Sequence, residues 1–242
     1  MKVVRGFDNP PVFCNAVATV GSYDGVHCGH RILLDEVVRR AKACCGESVV
    51  LTFEPHPRIT LGNDEGLQLL STLEEKCLLL EQVGIDYVVV IPFDEAFSRL
   101  SHEEFINDYL VEKLNIKQLV VGYNHHFGHN KAGNYSFLVE HTPLQVVEIA
   151  QYTDNGNKVS STAIRQAFAV GDLSKAQQLL GHPYIMIGIA DEQGKVAIDR
   201  YKLLPADGRY SCTINGKATT CEVVNGAVTQ SEYVSQKIEI LL

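Results

Sequence analysis

Between residues 12 and 181 the chain alternates short apolar runs with stretches of helical period, and this alternation restricts the fold more than any single motif. VFCNAVATVGS (12–22), SVVLTF (48–53), DYVVVIPF (86–93), KQLVVGY (117–123) and LQVVEIA (144–150) read as strands. HRILLDEVVRRAKACC (30–45) reads as a helix with Ile32, Leu33, Val37, Val38 and Ala41 on one face. TLEEKCLLLEQVG (72–84) and SHEEFINDYLVEKL (101–114) each open with capping-box spacing, Thr72 with Glu75 and Ser101 with Glu104. SSTAIRQAFAVG (160–171) and DLSKAQQLLG (172–181) are helices closed by glycine. The strands are apolar on both faces, as in a parallel sheet covered on both sides by helices. The expected fold is α/β, a doubly wound parallel-sheet, Rossmann-like domain.

After Gly181 the texture changes. YIMIGIADEQGKVAI, GRYSCTINGKATTCEVV and SQKIEILL are strand-like runs joined by Gly and Asn turns. Two domains are therefore expected: residues 1–184, and a small antiparallel β domain over 185–242.

The net charge of −8 argues against nucleic acid or an anionic membrane as partner, because such polyanions are held by clustered Lys and Arg. It leaves room for a small anion in a locally positive pocket. Seven scattered cysteines without a CxxC suit free thiols in a reducing cytoplasm. MKVVRGFDNPPVF lacks the apolar core of a secretory leader, and no run approaches the ~20 apolar residues of a spanning helix.

Open α/β sheets bind ligands beyond the carboxyl ends of their strands, where strand order reverses. Three unusual stretches follow strands here: GSYDGVHCGH (21–30), GYNHHFGHNKAGN (122–134) and KVSSTAIR (158–165). In the usual order the first and fourth strands of this series are neighbours, which brings the first two stretches to one crevice. His27 and His30 lie at a helix start, and Gly25 and Gly29 leave the backbone open for a phosphate to approach its free N–H groups. Ser160, Ser161 and Thr162 repeat the arrangement at another helix start, with Arg165 one turn in and able to grip an oxygen pair. Such a set suits charge stabilisation on a transferring phosphoryl group, with positioning and electrostatics carrying the reaction. A zinc site remains the alternative, with Cys28 or the cluster His125, His126 and His129 completing the His27–His30 pair. Asp24, followed by glycine, reads as turn chemistry.

Taken together, these stretches resemble the bacterial bifunctional riboflavin kinase/FAD synthetase family. GSYDGVHCGH is similar to the nucleotidyltransferase signature F/Y-D-G-V-H-x-G-H with its HxGH core. TFEPHPR (52–58), the Glu75–Lys76 helix, FSRLSHEEF (97–105), VVGYNHHFG (120–128), VSSTAIR (159–165) and GDLSKAQQLLGHPY (171–184) follow in family order. The resemblance implies an HxGH nucleotidyltransferase domain that transfers AMP from ATP to FMN, giving FAD and pyrophosphate, with Mg²⁺. It implies that His27, His30 and Arg165 are catalytic. It implies ATP contacts at Gly21, Ser22, Asp24, Gly25, His27, His30, Lys158, Ser160, Ser161, Thr162 and Arg165. For the flavin it implies Phe53, Pro55, Arg58, Asn124 and Phe127, the two phenylalanines offering flat apolar faces to the ring.

The C-terminal part departs from that family. KLLPADGRY (202–210) resembles the family's K-x-P-x-x-G-x-Y segment, but the GFPTAN stretch that serves nucleotide and magnesium in the kinase module has no counterpart. Residues 185–242 therefore read as a shortened kinase-like barrel without kinase activity. Two other readings stay open: transfer to a different phosphate-bearing acceptor, and a non-catalytic flavin- or nucleotide-binding protein.

Overall fold

The computed structural model describes residues 1–8, 10–123, 126–128, 133–154 and 156–242. The chain divides into two compact units. One holds Met1–Tyr23, Gly29–Leu67 and Leu79–Tyr152; the other holds Asp24–Cys28, Gln68–Leu78 and Thr153–Leu242.

The first unit is built on a six-stranded parallel sheet of β1 (Lys2–Arg5), β2 (Val17–Val20), β3 (Ser48–Glu54), β4 (Tyr87–Pro92), β5 (Gln118–Gly122) and β6 (Gln145–Ile149). Spatial order is β1-β4-β3-β2-β5-β6, and every pairing is parallel. β2 is buried along its whole length, and β3 and β4 along most of theirs. The order reverses between β2 and β5, the switch point of a doubly wound fold. The core gathers Ala18, Leu51, Val89, Ile91, Leu110, Leu119 and Val121 around the sheet.

The helices up to residue 141 are α1 (Cys28–Ala43), α2 (Pro57–Thr60), α3 (Leu73–Val83), α4 (Glu95–Ser98), α5 (His102–Glu104) and α6 (Tyr135–His141), with the first half of α3 in the second unit. The expected capping boxes form at both places. In α3 the Thr72 N–H donates to Glu75 Oε2 (2.8 Å) and the Glu75 N–H to Thr72 Oγ1 (3.3 Å). In α5 the Ser101 N–H donates to Glu104 Oε2 (2.8 Å) and the Glu104 N–H to Ser101 Oγ (3.1 Å).

Several expectations are corrected. The first apolar run forms a strand only over Val17–Val20, because Asn15, with φ 52°, breaks the extended backbone before it. On α1 the apolar face takes Leu34, and Ile32 stands 40% exposed. The helix expected over 101–114 widens into a π-helix at Phe105–Lys113, and the Leu114 N–H bonds to Tyr109 O five residues back (3.0 Å). Sequence patterning passed over β1, an edge strand with mostly exposed side chains, and α6, whose N-cap Asn134 accepts from the Phe137 N–H (3.0 Å).

The second unit has a two-stranded hairpin, β7 (Thr153–Asp154) with β8 (Asn157–Lys158), then α7 (Ser161–Ala169) and α8 (Leu173–Leu180). A closed antiparallel barrel follows: β9 (Ile185–Ala190), β10 (Lys195–Ile198), β11 (Gly208–Ile214), β12 (Lys217–Val224), β13 (Ala227–Thr229) and β14 (Gln236–Leu241). Asn215-Gly216 and Asn225-Gly226 make its tight hairpins, all four residues with φ between 50° and 80°. Its core joins Met186, Ile214, Val223, Val228, Ile238 and Ile240 to Ile164, Phe168 and Leu180 of the two helices. The fold class expected from the sequence is therefore present: a parallel-sheet domain and a small antiparallel β domain. Among the described residues no helix is long and apolar enough to cross a membrane.

Candidate active site

At the switch point the chain leaves β2 through Gly21 and Ser22, and leaves β5 toward His126–Gly128. All five of these residues line one cavity of about 330 Å³. Its remaining wall is Val20, Phe53, Phe93, Phe97, Ser98, Leu100 and Phe105. The phenylalanines pack edge to face: Phe53 on Phe93 (centroids 5.4 Å), Phe93 on Phe97 (5.8 Å), Phe97 on Phe105 (5.8 Å). A flat apolar ring system fits such a wall. The structure thus brings Phe53 and Phe127 together and adds Phe93, Phe97 and Phe105, which the composition of single strands did not single out. The signal was partly present, since Phe97 and Phe105 bound the FSRLSHEEF stretch. Pro55 and Arg58 are not among the lining residues. Arg58 is tied to loop carbonyls instead, through Nε to Asn63 O (2.8 Å). Asn124, His125 and His129 lie outside the described residues.

Ser22 and Tyr23 lead along the chain into the Asp24–Cys28 loop of the second unit. Tyr23, Gly25 and Val26 all adopt left-handed backbone (φ 46°, 79° and 41°). Gly25 has a packing reason as well: a Cβ there would lie 2.9 Å from Leu70 Cβ and 3.2 Å from Leu180 Cδ2. The left-handed backbone and this close packing both require glycine here. Asp24 is also more than a turn residue. Its Oδ1 accepts from the Leu70 N–H (2.8 Å) and the Ser71 N–H (3.1 Å), and its Oδ2 pairs with Arg165. The Gly25 N–H donates to Ser71 Oγ (2.9 Å), and Ser161 Oγ donates to Asp24 O (3.0 Å). Burial pushes the Asp24 carboxyl above its ordinary range, and Arg165 and Lys76 oppose that shift.

His27 immediately precedes α1 and is 6% exposed. Burial pushes its imidazole down to about 4, helped by nearby His182, so the ring is neutral at physiological pH. A neutral ring next to a helix N-terminus can donate one N–H to a phosphate oxygen at no cost in buried charge. His30 is the third residue of α1, with its ring edge-on to Tyr23 (5.2 Å). His182 Nε2 lies 2.9 Å from Gly25 O.

At the second helix start Ser160 is the N-cap of α7, accepting from the Ala163 N–H (3.3 Å). Thr162 and Lys158 are exposed. Arg165 Nε donates to Gln68 O (2.6 Å). Ser161 and Arg165 thus converge on Asp24, while Thr162 and Lys158 face solvent. Among the described residues no three His, Cys, Asp or Glu side chains are placed to hold a metal. The Asp24 carboxylate is also already engaged. These residues do not fit a protein-held magnesium centre.

Sequence reasoning missed the polar group beneath this loop. Glu75 and Lys202 form an ion pair (2.8 Å) whose side chains are both fully buried. Glu75 Oε1 also accepts from the Ile187 N–H (2.8 Å), and Lys202 Nζ donates to Leu70 O (2.6 Å) and lies 4.1 Å from the centroid of the Tyr184 ring. Burial lowers the Lys202 ammonium, and Glu75 opposes that shift. Glu75 was legible as a helix-capping residue; its second role depends on a partner 127 positions away.

Comparison with known proteins agrees with this architecture. A crystal structure titled macrolide-efflux protein, from Streptococcus pneumoniae, shares the fold, with a TM-score of 0.85 over 99% of this chain and 88% of that one at 21% identity. The bifunctional riboflavin kinase/FMN adenylyltransferase of Escherichia coli K12 is 35% identical over 195 residues, covering 78% of this chain and 62% of that protein. The chain thus spans less than two thirds of that relative's length. The protein of the same description from Buchnera aphidicola subsp. Schizaphis graminum is 35% identical over 260 residues, covering all of this chain and 83% of that one. The FAD synthetase profile matches residues 10–163, which include the switch-point cavity, the Asp24–His30 loop and the start of α7. With its parallel sheet, its aromatic cavity and this match, the chain belongs to the FAD synthetase family.

Proposed function

We propose that the protein is an FMN adenylyltransferase, joining AMP from ATP to FMN to give FAD and pyrophosphate. The observation that carries this reading is the aromatic cavity at the switch point, whose Gly21–Ser22 edge runs directly in sequence into the histidine-bearing loop. The cavity takes the flavin ring against Phe53 and Phe127. The ATP phosphates go to the N-termini of α1 and α7, with His27, His30, Ser161 and Arg165 as donors and with Thr162 and Lys158 reachable from solvent.

In the reaction an FMN phosphate oxygen attacks the α-phosphorus of ATP. The bond to the bridging oxygen of the β-phosphate breaks, and pyrophosphate leaves with that electron pair. The histidines and Arg165 stabilise charge on the phosphoryl oxygens and need not form a covalent intermediate. Magnesium enters with the nucleotide, as is usual when most of its ligands are phosphates and water.

The barrel from residue 185 onward is, on this reading, a kinase-like module that does not phosphorylate riboflavin, since the GFPTAN stretch has no counterpart in it. The site of action is the cytoplasm, with ATP and FMN as partners and no nucleic acid or membrane. The test is chromatography of products after incubating the purified chain with ATP, Mg²⁺ and either FMN or riboflavin. FAD from FMN and nothing from riboflavin is the expected result. FMN from riboflavin would restore the kinase. No product from either flavin would move the acceptor or remove the activity.

A further inference from the structure

The Glu75–Lys202 pair has no part in the chemistry proposed above, yet it is the most deeply buried pair of opposite charges among the described residues. Burying two such groups costs solvation that their attraction repays only with good geometry, so the pair is poor evidence for stability alone. Its geometry points elsewhere. Lys202 Nζ holds the Leu70 carbonyl (2.6 Å), and the Leu70 N–H holds Asp24 Oδ1 (2.8 Å). Asp24 Oδ2 in turn pairs with Arg165. Four residues thus form a continuous relay from the segment between β10 and β11 to the arginine at α7.

Two further contacts brace the same relay. Tyr184 lies against the Lys202 ammonium and donates its hydroxyl to Leu203 O (2.6 Å), fixing the backbone that carries Lys202. The Leu69 and Lys202 backbones form an isolated parallel bridge, with the Leu203 N–H donating to Leu69 O (2.8 Å). The charges add a second effect. Asp24 and Glu75 are two carboxylates, while Arg165, Lys76 and Lys202 are three cations, and Lys76 and Lys202 are each 5% exposed. With all five groups ionised the cations outnumber the carboxylates, which suits an anionic ligand.

We infer that Lys202 is a positioning residue for ATP, acting through Leu70 and Asp24 to set the guanidinium of Arg165, and that the C-terminal barrel serves adenylyl transfer by supplying it. This rests on the reading of Arg165 as a phosphate ligand. Lys202 lies outside residues 10–163, the part matched to the FAD synthetase family, so the dependence crosses the limit of that match.

The experiment measures equilibrium binding of ATP and of FMN, each alone, to the full chain and to Lys202→Met, Arg165→Ala and the double variant. The expected result is ATP binding weakened about tenfold by Lys202→Met through lost preorganisation, with FMN binding within about twofold of the parent. In the Arg165→Ala background Lys202→Met should add less than about twofold, because both act through one contact. Equal losses for ATP and FMN, full additivity, or no loss of ATP binding would each overturn the inference.

If Lys202→Met fails to fold, Lys202→Met/Glu75→Met removes the unpaired carboxylate and replaces the pair with apolar groups. That variant should fold and still bind ATP weakly. Recovery of parental ATP affinity would reduce Lys202 to a structural role and overturn the inference. A parent chain that binds ATP but makes no FAD would sink the proposed reaction and leave this test intact. A parent that binds no ATP would sink both.

Discussion

The aromatic cavity and the Asp24–Arg165–Lys202 network are built in opposite ways. The cavity is apolar, its walls come from residues near strand ends, and its rings are held by packing against one another. The network is charged and buried, and its members are held by hydrogen bonds and ion pairs between distant segments, Asp24 to Leu70, Arg165 to Gln68 and Lys202 to Glu75 among them. Packing yields gradually when one side chain is trimmed. A buried charge that loses its partner is left unpaired in a poor solvent for ions. The network should therefore fail abruptly and the cavity degrade in steps.

The largest expected effect tests that difference directly. Asp24→Ala leaves Arg165 and two backbone amides without their acceptor, and should cost about 3 kcal/mol or more of folding stability. Urea unfolding measures it, and a loss below about 1 kcal/mol would make the network no harsher than ordinary packing.

His30→Ala comes next. It should lower turnover about a hundredfold or more, the size of one donor lost at a developing oxyanion, while FMN binding stays near parental. Parallel loss of turnover and FMN binding would put this histidine with the flavin.

The pH dependence of stability is a third probe. His27 titrates at about 4 in the folded chain against 6.5 unfolded, because it is buried. Between those values the unfolded chain binds a proton that the folded chain refuses. Stability is therefore unaffected above about pH 6.5 and falls as pH drops toward 4, by about 3 kcal/mol at 1.4 kcal/mol per unit. His27→Gln should flatten that part of the curve, and an unchanged acid limb would mean the ring is not buried neutral. The smallest effect belongs to the cavity: Phe53→Ala should weaken FMN about tenfold, the scale of one aromatic contact plus some burial, and leave stability little changed. Fluorescence titration with FMN reads it.

The same difference explains what the sequence made legible. The parallel sheet followed from apolar runs and strand–helix alternation, because burial on both faces leaves a local pattern; its strand order came only with the structure. The capping boxes at Thr72 and Ser101 were legible because both partners lie within one turn. Phe53 and Phe127 stood in marked stretches at strand ends. By contrast, Asp24 looked like turn chemistry because its next residue is glycine, while its true partners are 46 and 141 positions away. Nothing near Gly25 in the sequence showed that Leu70 and Leu180 would pack beside it. Lys202 sat in a stretch noted for resemblance, with nothing nearby to show that it would be buried. Contacts of this kind leave no period and no spacing in a single chain.

The most direct test of the whole account is a pair of Michaelis constants, for ATP and for FMN, measured on Phe127→Ala and on Arg165→Ala. The account predicts a crossed result: Phe127→Ala raises the constant for FMN and spares that for ATP, while Arg165→Ala does the reverse. If both variants raised both constants equally, the cavity and the network would not serve separate substrates, and the assignment of flavin to one and triphosphate to the other would be wrong.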